Sequence, residues 1–136
     1  MGAPFLNTKL MKPGTNLIDI EVETRYVESQ SNPESRRYVF SYTITIRNDG
    51  LQAARLMKRH WIITDANGKI QEVKGDGVVG EQPHLNPGEA FRYTSGTVLD
   101  TPVGSMEGSY EMVDPEGNPF EASIPLFVLQ RPGSLH

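Results

Sequence analysis

Residues 36–48 read RRYVFSYTITIRN, with Tyr38, Phe40, Tyr42, Ile44 and Ile46 on every second position and Ser41, Thr43 and Thr45 between them. Successive side chains of a strand point to opposite faces, so this period of two is the pattern of a β-strand with one face in a core. Aromatic and β-branched residues fill the run, which marks it as central in its sheet. It closes at Asn48-Asp49-Gly50, a turn signal.

The same reading extends in both directions. Upstream, residues 17–27 (LIDIEVETRYV) set Ile18, Ile20, Val22, Thr24 and Tyr26 against Asp19, Glu21, Glu23 and Arg25, a half-buried strand separated from the first by the turn-rich QSNPES. Downstream, strands are expected over residues 54–64, 69–74, 89–94, 104–113 and 120–129, punctuated by DANG, NPG and DPEG. No segment shows an apolar period of 3.6 residues. Seven strands with turns at such spacings predict two packed antiparallel sheets, an all-β, immunoglobulin-like β-sandwich almost without helix. With no cysteine pair, the fibronectin type III variety is the closer pattern. Trp61, the single tryptophan, is expected to anchor the core between the sheets.

A chain of 136 residues fits one domain. Residues 17–129 are expected to form it, with a flexible segment at 1–16 and a tail at 130–136. The formal net charge of −4 opposes general binding to nucleic acid or to anionic membrane, both of which require summed positive charge. The absence of cysteine removes thiolate nucleophiles, disulfides and cysteine-ligated zinc, and fits a cytoplasmic protein. Asn7 and Lys9 break the opening apolar residues before they reach the length of a signal peptide, and Leu6 stands where an acylation signal at Met1-Gly2 needs Ser or Thr.

One motif invites a nucleotide. Gly75-Asp76-Gly77-Val78-Val79-Gly80 fits G-x-G-x-x-G, but the dinucleotide fingerprint works only when its third glycine opens a helix whose free N–H groups meet the pyrophosphate. Pro83 and Pro87 forbid that helix, and Glu81 puts a negative charge where the phosphate belongs. Two readings survive. The preferred one is a tight connection between strands, with glycine supplying positive φ and close packing; the other is a small concave run of N–H groups that holds an anion.

The segments VETRYV, YVFSYTITIRN, RHWIITDANG, GDGVVGEQPHLNPGEAFRYTSG, GSMEGSYEM and IPLFVL follow in the order found in the bacterial ApaG (CorD) family, and the chain resembles that family over residues 17–129. The resemblance implies a fibronectin-III-like sandwich. It also implies a link with cobalt resistance and magnesium efflux, a gene neighbour encoding a dinucleoside tetraphosphate hydrolase, and kinship with domains in eukaryotic F-box proteins and a DNA-polymerase-interacting protein. The family carries no assigned catalytic residues. Its glycine motif, matched by Gly75, Gly77 and Gly80, implies at most pyrophosphate binding.

Other constellations are weaker. Arg55, Lys58, Arg59 and His60 concentrate positive charge and offer an anion or partner patch, against the simpler expectation of a solvated strand face. Asp19, Glu21 and Glu23 share a face, but residues two apart on a strand stand about 6.5–7 Å apart, too far to close readily on one ion. His60, His84 and His136 show no ligand spacing, so no metal and no cofactor is expected. Ser95-Gly96 is read as a turn, with no G-x-S-x-G elbow around it, and no enzyme is expected. The first functional expectation is therefore a non-catalytic protein-interaction module with an unidentified protein partner, either a monomer or a weak homodimer through a sheet edge. The alternative is a small-anion binder, for phosphate, pyrophosphate or a nucleotide, built from Gly75, Gly77, Gly80, Arg59 and His60.

Overall fold

The computed structural model describes residues 16–134. Residues 1–15, which hold most of the expected N-terminal segment, and 135–136, which include His136, lie outside it. The strands are β1 (Ile18–Tyr26), β2 (Tyr38–Asn48), β3 (Ala54–Asp65), β4 (Ile70–Asp76), β5 (His84–Leu85), β6 (Ala90–Leu99), β7 (Val103–Val113) and β8 (Pro119–Gln130). Two single-turn 3-10 segments, Glu28–Gln30 and Pro33–Ser35, are the only helical pieces among the described residues. No helix there is long and apolar enough to cross a membrane.

All strand pairs are antiparallel, in a first sheet ordered β1-β2-β6 and a second ordered β4-β3-β7-β8, with β5 paired to β3. This is the expected two-sheet sandwich, and β2 is the central strand of its sheet. Its alternating residues Tyr38, Phe40, Tyr42, Ile44 and Ile46 are all buried. They face Leu56, Trp61 and Ile63 of β3 and Met106, Tyr110 and Met112 of β7 within one core cluster. Trp61 is 3% exposed and meets Tyr42, Phe127 and Tyr110 edge-on at 5.4, 5.9 and 6.5 Å between ring centroids, the arrangement aromatic quadrupoles favour. The seven expected strands are present; the two-residue β5 has no period for a sequence to reveal.

Two readings need correction. Ser95-Gly96 is not a turn: both lie inside β6, where Ser95 pairs with Tyr42 and Gly96 with Ser41. The strand continues through them because β2 satisfies their backbone, which outweighs the turn preference of a serine-glycine pair. The basic run of β3 is likewise not one face. The register slips by one residue at Met57, between the pairs Leu56–Met112 and Lys58–Glu111. Such a bulge restarts the alternation. Ala54 and Leu56 point inward before it, and Arg59, Trp61 and Ile63 after it, leaving Lys58 and His60 on the outer face.

Candidate functional site

The bulge at Met57 organises the glycine loop as well as the strand. The Met57 carbonyl accepts the backbone N–H of Gly77 at 2.8 Å and the Gln82 side-chain amide at 3.1 Å. Beyond Gly77, Val78 and Glu81 exchange backbone hydrogen bonds at 2.8 and 2.9 Å, which closes a two-residue hairpin with Val79 and Gly80 at its tip. Both tip residues have positive φ, 42° and 83°, as a type I′ turn requires. Gly77 also has positive φ, and a Cβ there would lie 2.3 Å from the Glu81 carbonyl oxygen, so the loop closes only over glycine. The N–H groups of Gly77 and Val78 are consumed by this folding, while those of Val79 and Gly80 make no hydrogen bond within the described residues.

Arg59, turned inward by the bulge, packs against this loop. It sits opposite Gly75 in the β3–β4 register, where a Cβ would meet the guanidinium at 2.8 Å. Gly75 is thus small to admit a flat cation. The Arg59 Nη1 donates to the carbonyls of Asp76 and Gly77, at 3.0 Å each. These two bonds occupy the two hydrogens of Nη1 and leave the Nε–Nη2 edge without a protein partner among the described residues. No carboxylate there forms an ion pair with Arg59.

A cleft of about 190 Å³ opens at this point between the sheets, lined by Tyr42, Tyr93 and Ser95 from the first sheet, by Arg59 and Trp61 from the second, and by loop residues 78–80. Its tyrosines are held neutral. Burial pushes the Tyr42 phenol up, opposed by the neighbouring Ser95 hydroxyl and by the Arg59 charge. Burial also raises Tyr93, opposed by its hydrogen bond with Tyr110 and again by Arg59. The Tyr93 and Tyr110 hydroxyls meet at 2.5 Å across the core, and burial raises Tyr110 as well. The cleft therefore combines one partly committed cation, hydroxyl groups, two unpaired N–H groups and aromatic walls.

The expected site residues are divided by this geometry. Arg59, Gly75, Gly77 and Gly80 come together, each in a different role. His60 shares a groove with Arg59 and Gly75 but does not line the cleft: on the outer face it contacts Glu72 at 2.5 Å, beside Lys74. It borders a second groove of about 430 Å³, to which Arg59, Gly75 and Asp76 contribute beside Lys58, Lys74, Glu111 and Glu121, and where the charges of both signs select neither. Arg55 bonds the Gln82 carbonyl at 2.9 Å. On edge strand β1, Asp19 pairs with Arg47 at 3.2 Å and Glu23 with Arg92 at 3.5 Å. Among the described residues no three His, Asp or Glu side chains group to hold a metal ion. Tyr42, Tyr93 and Ser95 were not expected at the site. The one sequence signal for it is the change of apolar phase in β3, from Ala54 and Leu56 to Trp61 and Ile63.

Comparison with known proteins gives concordant matches. The sequence model of the ApaG domain family matches residues 28–114. Protein ApaG of Azoarcus sp. (strain BH72) is 58% identical over 127 residues, covering 93% of this chain and all of that one. Protein ApaG of Thiobacillus denitrificans is 60% identical over 119 residues, covering 88% of this chain and 94% of that one. A crystal structure from Bordetella pertussis, described as an ApaA protein, superposes with a TM-score of 0.86 at 48% identity, covering 88% of this chain and 98% of that one.

Proposed function

Because the chain belongs to the ApaG domain family, a family without assigned catalytic residues, we propose that it is a non-catalytic recognition module whose cleft at Arg59 binds an anionic group. The observation that carries this reading is the guanidinium itself. It is half-buried, held over Gly75 and by two loop carbonyls, yet its Nε–Nη2 edge has no protein acceptor among the described residues. An inward-facing cation with idle donors is costly unless something meets them, and an anion supplies both charge and acceptors.

Linkage gives the test. A ligand that binds only the folded state adds RT ln(1 + [L]/Kd) to stability, about 1.4 kcal/mol at ten times Kd. Urea unfolding with and without 10 mM acetate, phosphate or pyrophosphate, run in parallel on wild type and Arg59→Gln, separates binding from general salt effects, which both chains share. At least one anion is expected to stabilise the wild type selectively. Equal responses of the two chains to every anion would end this reading.

A second reading, a protein partner recruited by a sheet edge, is supported by β8. This edge strand of the second sheet exposes Leu126 (56%) and Val128 (48%) beside the Pro125 irregularity, and exposed strand edges recruit further strands. Analytical ultracentrifugation of wild type and Leu126→Lys tests whether a second copy is that partner. Concentration-dependent association lost in the variant supports it, and a monomer at all concentrations removes self-pairing.

A further inference from the structure

We infer that the group recognised in the Arg59 cleft is a singly charged carboxylate attached to a small apolar body, rather than a phosphate or pyrophosphate; this rests on the anion-binding reading above and narrows it.

Shape fixes a forked acceptor, and charge and size select among such acceptors. The loop carbonyls of Asp76 and Gly77 take up Nη1, so the free edge is Nε with Nη2. Its two parallel N–H groups match two oxygens of one carboxylate or of one phosphate, the bidentate fit that distinguishes guanidinium from ammonium, so charge and size decide between them. The cleft holds a single cation, while the loop beside it carries Asp76 and Glu81. With Lys58 and Lys74 on the neighbouring groove and not in the cleft, one positive charge balances a monoanion and leaves a pyrophosphate, with several charges, uncompensated. The volume of about 190 Å³ falls below the roughly 300–1,000 Å³ of ordinary small-molecule pockets, so a nucleotide does not fit inside.

The remaining walls select the body. Trp61, Tyr42 and Tyr93 are all buried, and burial keeps the Tyr42 and Tyr93 phenols neutral. Their ring edges and the exposed Val79 side chain give the cleft its apolar part next to the guanidinium, and Ser95 and Gly80 complete the lining. A free aliphatic or aromatic acid and the C-terminal residue of a peptide present the same chemistry: a carboxylate on a short apolar stem.

The experiment is amide and indole shift mapping on the ¹⁵N-labelled full chain, titrated with phenylacetate, acetate, inorganic phosphate, pyrophosphate, and a short peptide ending in Phe with a free or an amidated C-terminus. We expect saturable shifts at Val79, Gly80 and the Trp61 indole with phenylacetate, at least tenfold stronger apparent binding than with phosphate or pyrophosphate, and at least tenfold weakening in Arg59→Gln. Arg59→Lys, which keeps charge but loses the fork, is expected to weaken phenylacetate binding about tenfold. The free-terminus peptide binding while its amide does not assigns the carboxylate to a chain end; phenylacetate binding without the peptide assigns it to a free acid. Tighter binding of phosphate or pyrophosphate overturns the carboxylate assignment and leaves anion binding standing. Equal binding of the free and amidated peptides with no response to phenylacetate also overturns it. Silence of these three signals toward every anion overturns both readings, whatever the stability of the variants.

Discussion

Asn48 ends the central strand, and although its sequence context reads as an exposed turn it is only 1% exposed. Its side chain donates to the carbonyls of Gln52 and Leu85, at 2.9 Å each, and accepts the Gly50 N–H at 2.9 Å. Asn48→Ala leaves these partners buried and unmatched, and is expected to cost about 2–4 kcal/mol by urea unfolding. Asn48→Asp, with an acceptor where two donors are needed, is expected to cost at least as much. Val79 is the opposite case. A β-branched side chain at φ 42° is strained, while the residue is 55% exposed and has little packing to lose. Val79→Asn, which tolerates the left-handed region, is expected to raise stability by about 1 kcal/mol in the same measurement. That strain lies at the rim of the cleft, where backbone strain tends to concentrate in functional sites.

The element that joins fold to site is β3 with its bulge. Met57 is the extra residue: Leu56 and Lys58 face consecutive residues of β7, Met112 and Glu111. Deleting Met57 is therefore expected to preserve the β3–β7 register and the inward aim of Arg59, while removing the carbonyl that anchors Gly77. The expected result is a cooperative fold destabilised by about 2 kcal/mol, with the Gly77 amide exchanging far faster than its neighbours in β4. Retained protection of Gly77 would show that the loop does not depend on the bulge. The same element shows why the fold was legible in the sequence and the site was not. Strict alternation in residues 36–48 announces β2 and its buried face without outside information. In β3 the alternation breaks, and a basic run read as one patch divides between two faces. Only the phase change from Leu56 to Trp61 records the break. Tyr42 was legible as a core residue, since its position obeys the period, but nothing local to it or to Tyr93 says that a cleft opens beside them. Such a cavity depends on how far apart two sheets stand, which is a property of the assembled sandwich.

At the scale of the whole molecule, the sheets are linked through phenols. Tyr93 of the first sheet and Tyr110 of the second share a hydrogen bond, with Tyr42 close by. All three phenols are raised above the ordinary value of 10.0, mainly by burial. The fold keeps them protonated where the unfolded chain releases their protons, so their contribution is fully present below about pH 10 and is lost as pH rises toward their folded values. Each costs about 1.4 kcal/mol per pH unit over that window. Phenolate absorbance from these residues and loss of circular dichroism are expected to share one alkaline midpoint, and Tyr110→Phe to flatten the stability slope above pH 10 by about that amount. Ionisation of these phenols well before unfolding would contradict this. The position of Trp61 has an optical consequence. The chain's single indole is buried, forms a wall of the cleft, and stands 5.4 Å from the ring of Tyr42 and 6.5 Å from that of Tyr110. Light absorbed by those phenols in the native state is expected to pass to the indole, and an occupant of the cleft to alter the colour and yield of its emission, an unlabelled gauge of whether the cleft is filled.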